Sequence, residues 1–113
     1  SFENACDYCM AAHSALAEMV ELPGEDLEAL RAGRPLSDAR LDALHRFTRA
    51  VVEKRGRPDE ADFQAFHDAG FTREQVLEVV LGVGMKTLSN YTNHIAATPV
   101  DGAFAGKEWT PPA

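Results

Sequence analysis

Cysteine is scarce in this chain: among 113 residues there are only Cys6 and Cys9. Small secreted scaffolds usually carry about four to eight cysteines, so a disulfide framework is excluded. Strand patterning is almost missing too. No alternating run of β-branched and aromatic residues leads into a hairpin, which excludes a β-sandwich or barrel. No stretch approaches the roughly 18–20 uninterrupted apolar residues of a membrane span. Nothing at the start resembles a secretory signal, with a basic segment, an apolar one and a small-residue cleavage site. Basic charge is short as well: eleven Lys and Arg face eighteen Asp and Glu, for a net charge of −7. Nucleic-acid binding needs a basic footprint to displace counterions from phosphate, and this balance is the opposite. Arg40, Arg46, Arg49, Lys54, Arg55 and Arg57 cluster locally, but Asp42 and Glu53 interleave with them, as on a solvated helix face.

What is present is helical periodicity. The apolar content of 45% and charged content of 26% are those of a soluble globular protein, and the length suits one domain over residues 1–113. A first helix is expected from about Phe2 to Glu21, stopped by Pro23-Gly24, and a short second one from Glu25 to Ala32, ended by Gly33. A third starts at Ser37 as N-cap and stops at Gly56, with Leu41, Leu44, Phe47, Val51 and Val52 as its apolar stripe. Pro58 and Asp59 open a fourth that ends at Gly70. The fifth runs from Thr72 to Thr98, and Thr72 with Gln75 makes a capping-box pattern. Along it Leu77, Leu81, Gly84, Leu88, Tyr91 and Ile95 recur at alternating spacings of four and three, widened by Val76, Val80 and Val83. Such a helix is roughly 39 Å long, so part of its face is expected to pack against another chain. Gly82 and Gly84 inside it each cost about 1 kcal/mol relative to Ala, and close helix approach is the expected reason. The tail after Pro99 is rich in Pro and Gly yet carries Phe104 and Trp109, and it is expected to lie over a neighbouring subunit. The fold class is all-α, about five helices with a long C-terminal one and an extended tail.

The chemistry sits in "CDYCMAAH". Successive helical residues turn about 100°, so Cys6, Cys9 and His13 share one face if the helix spans all three. Cys9 and His13 are then helix neighbours, and Cys6 and Cys9 lie close enough for a disulfide. An early helical position and an imidazole within reach both favour thiolate. Three readings compete. Two buried, inert thiols are one. A zinc site is another, but a structural site takes four ligands, and His45, His67 and His94 lie on separate helices without finger-like spacing. The third is a dithiol redox couple on a helical scaffold; a thioredoxin would place the pair after a strand, and there is none. Asn90 and His94, four apart, and Lys86 one turn earlier form a polar strip on the last helix that fits a pocket lining, the solvent face or an inter-subunit network, the last two favoured.

"ENACDYCMAAHSALAE" together with "VLGVGMKTLSNYTNHIAATPVD" resembles the AhpD-like alkylhydroperoxidase branch of the carboxymuconolactone decarboxylase superfamily. The resemblance covers most of the chain, and the CxxCxxxH element on a helix carries it. It implies an AhpD-like helical domain, lacking its N-terminal part, that assembles into trimers or into hexamers built from trimers. It also implies a cytoplasmic thiol-dependent peroxidase that reduces hydroperoxides through the cysteine pair, with no metal and no bound cofactor. By family pattern Cys9 attacks, Cys6 resolves and His13 relays the proton. An external dithiol, lipoyl-type or thioredoxin-like, would close the cycle; no nucleic acid and no membrane take part. Two positions depart from the pattern: Tyr8 stands where well-studied members have a histidine, and the relay glutamate, upstream of the cysteines in the family, has no counterpart here. The alternative on the same fold is a dithiol oxidoreductase or redox-sensing homo-oligomer without peroxidase activity. The lactone decarboxylation is disfavoured, since those enzymes generally lack the cysteine pair.

Overall fold

The computed structural model describes all 113 residues, and it is all-helical. Five α-helices occupy Asp7–Met19 (α1), Gly24–Ala32 (α2), Ala39–Glu53 (α3), Glu60–Asp68 (α4) and Arg73–Ala96 (α5), followed by a single 3-10 turn at Gly102–Phe104. No helix is long and apolar enough to cross a membrane. The chain forms two compact units: Ser1–Leu36 with Thr87–Ala113, and Ser37–Lys86. The long helix α5 supplies its first half to the second unit and its last turns to the first.

Local chemistry accounts for the helix ends. Gly33 adopts a left-handed conformation (φ 68°) at the end of α2, and Gly70 (φ 95°) follows α4. Only glycine fits at Gly33, because the Phe2 ring lies where a Cβ would be. The expected capping box at α5 is present: Thr72 N–H donates to Gln75 Oε1 at 2.7 Å, and Gln75 N–H to Thr72 Oγ1 at 3.3 Å. A second box forms at α4 between Asp59 and Asp62, and Lys54 pairs with both carboxylates across the turn from α3. Two starts differ from expectation. The N-cap of α3 is Asp38 rather than Ser37; its carboxylate accepts from Leu41 N–H at 2.8 Å. Helix α1 begins five residues later than the apolar pattern suggests, because Ser1–Ala5 forms turns and Ala5 sits at φ 51°.

The Ser37–Lys86 unit has an aromatic core. Phe47, Val51, Phe66 and Phe71 are buried, with Leu44, Phe63, Val76, Val79 and Val83 packed around them. Phe66 lies between Phe47 (centroids 4.3 Å apart) and Phe71 (4.5 Å, rings nearly parallel). The Arg40 guanidinium covers the outer face of this stack, 4.3 Å from the Phe71 centroid. Thus α5 contributes Val76, Val79 and Val83 to the core, while the stripe of alternating spacing faces out: Leu77, Leu81, Leu88 and Ile95 are 65–88% exposed. Close approach within this chain does not explain the glycines, since a Cβ at Gly82 or Gly84 would meet nothing within 4 Å.

In the other unit the tail folds back on its own chain. Trp109 is buried; its ring packs on Phe2 (centroids 5.6 Å) and its indole N–H donates to the Arg31 carbonyl at 2.7 Å. The Arg31 guanidinium in turn donates to the carbonyls of Lys107 and Glu108 (3.1 and 2.8 Å) and to Ser14 Oγ (2.7 Å). Lys107 pairs with Glu18. Arginine's planar fork serves three acceptors at once, which an amine could not do in that geometry.

Candidate functional site

Cys6 is the N-cap of α1, outside the helix proper, with extended backbone (φ −88°, ψ 99°). Its sulfur does what a serine or aspartate oxygen usually does there: it accepts from Cys9 N–H, at 3.3 Å. The Ser1 carbonyl accepts the Cys6 N–H at 3.1 Å and fixes the turn that presents the thiol. The shared-face argument therefore holds only for Cys9 and His13, and the cap contact brings Cys6 and Cys9 together by another route. N-cap and third helical residue lie about 5–6 Å apart, within the range a disulfide spans.

Helix α5 supplies the other wall. Asn93 Nδ2 donates to Cys9 Sγ at 3.4 Å and Ser89 Oγ lies 3.6 Å from the same sulfur. Asn93 Nδ2 is also 2.9 Å from the Ser89 carbonyl. Asn90, fully buried, ties this wall to the N-terminal turn: its Oδ1 accepts from Asn4 at 3.0 Å and its amide donates to Ser1 Oγ at 3.3 Å. Both thiols are free, and both are shut away, Cys6 at 0% and Cys9 at 1% exposure.

The two sulfurs are not equivalent. Burial pushes the Cys6 thiol up, and its hydrogen bond with Cys9 pushes it further. Burial also pushes Cys9 up, but hydrogen bonds from Cys6, Ser89, Asn90 and Asn93 outweigh it, and the net direction is down. Donors aimed at the charged form are what lower a pKa against desolvation. Of the two thiols, Cys9 is the one whose surroundings favour the thiolate.

Tyr8, between the cysteines, is tied to the tail. Its hydroxyl donates to Asp101 Oδ2 at 2.6 Å, and its ring meets Phe104 edge-on at 6.1 Å. The bond to Asp101 pushes the phenol above its ordinary range.

Of the three residues singled out from the sequence, Cys6 and Cys9 meet; His13 lies one turn beyond Cys9 with its ring exposed. The Asn90–His94 strip divides, Asn90 buried at the cysteines and His94 exposed. Ser89 and Asn93 were not anticipated. Their signal was there in "SNYTN": two uncharged polar residues four apart share a face of a mostly apolar helix. Compared with known proteins, the chain matches no family model and no curated sequence.

Proposed function

We propose that the Cys6–Cys9 pair is a dithiol/disulfide couple and that the chain is an AhpD-like, thiol-dependent peroxidase. The observation that carries this reading is the asymmetry at the pair: Cys9 Sγ faces the donors Asn93 and Ser89, while Cys6 Sγ rests on the Cys9 N–H. In the cycle the Cys9 thiolate attacks the terminal oxygen of a hydroperoxide. The S–O bond forms as the O–O bond breaks, and the alkoxide takes a proton to leave as an alcohol. Cys6 then attacks the sulfenic acid, the S–S bond forms, and water leaves. An external dithiol, lipoyl-type or thioredoxin-like, reduces the disulfide and is itself oxidised, which suits a cytoplasmic setting. His13, on the solvent side of α1, is proposed to exchange the proton with water.

The test is mass spectrometry of the chain before and after stoichiometric hydroperoxide. The Cys6–Cys9 peptide is expected to lose the mass of two hydrogens, and dithiothreitol should restore it. Burial of both sulfurs supports a second reading, a dithiol oxidoreductase or redox sensor that hydroperoxide does not reach. A disulfide that forms with diamide but not with hydroperoxide would select it.

The same reading includes a homo-oligomer, a trimer or a hexamer built from trimers. The exposed stripe of α5 supports it, as does the position of Gly84 in that stripe, where a second helix could approach closely. Light scattering at micromolar concentration should give a multiple of the protomer mass; a monodisperse monomer would end the idea.

A further inference from the structure

We infer that Asn93, braced by Ser89, is the positioning residue that selects Cys9 over Cys6 as the attacking thiol. This rests on the dithiol reading above and assigns a role that neither the motif nor the resemblance contains. The amide orientation is fixed by its surroundings. The Ser89 carbonyl only accepts, so the Asn93 atom 2.9 Å from it must be the NH2 group. That same nitrogen is the atom 3.4 Å from Cys9 Sγ, so the sulfur faces a donor. Ser89 Oγ, 3.4 Å from Asn93 Nδ2 and 3.6 Å from the sulfur, can take the thiol proton's place and donate once the thiolate forms. Neutral donors are what a sealed site allows. A lysine or arginine here would hold the thiolate more strongly but would itself have to be stripped of water and buried.

Cys6 has no equivalent on α5; the contact that places its sulfur is the Cys9 backbone N–H, which a thiol and a thiolate both accept. The titratable groups on the segments around Cys9 are Glu3, Cys6, Asp7, Tyr8 and His13, and from the tail Asp101, bonded to Tyr8. The α5 residues at the sulfur, Ser89, Asn90 and Asn93, are all uncharged, so removing a donor there changes the thiol without changing the net charge.

The experiment follows iodoacetamide labelling against pH in full-length Cys6→Ser, where Cys9 is the sole thiol and serine keeps the N-cap. Adding Asn93→Leu keeps the volume and removes the donor without adding a charge. The labelling midpoint is expected to rise by about one pH unit or more, with labelling at neutral pH about tenfold slower. Helicity by circular dichroism should not change. A midpoint that stays put in a folded Asn93→Leu chain overturns the inference. Should that chain not fold, Ser89→Ala supplies the same readout: a raised midpoint supports the bracing role, and an unmoved one overturns it. Disulfide formation in the unaltered protein is scored separately, so a pair that oxidises normally while the midpoint ignores Asn93 refutes this assignment alone.

Discussion

Hydroperoxide consumption in the presence of dithiothreitol should fall to background in Cys9→Ser and only partly in Cys6→Ser. The difference follows from what each sulfur does. In the proposed cycle Cys9 carries the attack, and a serine hydroxyl at that position stays protonated at a pH where a thiol ionises. Cys6 acts in that cycle only after the sulfenic acid exists, and dithiothreitol can attack that intermediate in its place. In Cys6→Ser, dimedone should therefore trap a sulfenic acid at Cys9, detectable as a mass adduct on the peptide containing it. Stability should be close to unchanged in Cys6→Ser, since serine is among the preferred N-caps. Full consumption by Cys9→Ser would reverse the roles, and equal loss in both variants would mean the two sulfurs act as one unit.

Much of this architecture could be read from residue types alone, and the parts that could not have identifiable causes. Helix ends marked by a glycine or a reciprocal cap were legible, as Gly33, Gly70 and the Thr72–Gln75 box show. The start of α1 was not, because a cysteine sulfur is not in the usual N-cap vocabulary and the apolar pattern runs on through Phe2. At α3 two competent caps stand side by side, and the carboxylate of Asp38 won over the hydroxyl of Ser37. On α5 the valines and the leucine stripe both satisfy helical periodicity. Periodicity says that a face is apolar, not which apolar face meets the core. The donors at Cys9 were hidden for a related reason: Ser89 and Asn93 lie 80 and 84 positions from Cys9 in the chain, and nothing local pairs them. Likewise Trp109 looked like an anchor, but its acceptor is a backbone carbonyl, Arg31 O, which every residue has.

Phe66→Ala should be the most destabilising single substitution in the Ser37–Lys86 unit. Phe66 is 1% exposed and occupies the middle of a three-ring stack, so its removal breaks two aromatic contacts at once. Each such pair contributes about 0.5–1.5 kcal/mol beyond the area it buries. Truncation also leaves a void between Phe47 and Phe71. The cost expected for Phe→Ala in a packed core is about 3–5 kcal/mol. Against the roughly 5–15 kcal/mol that holds a small protein together, that removes a large share. Thermal melting followed by circular dichroism should shift down by at least about 10 °C. Phe66→Leu, which fills part of the volume but cannot stack, should melt between the two. The neighbouring Phe63 is a useful comparison: its ring meets only Phe47, at 5.5 Å, and it is partly exposed, so Phe63→Ala should cost clearly less. A melting temperature within a few degrees of the unaltered chain for Phe66→Ala would mean that the ring stack is not what holds α3 to α4. The Lys54 pairing with Asp59 and Asp62 would then have to carry that contact, and exposed ion pairs of this kind rarely contribute more than about 1 kcal/mol.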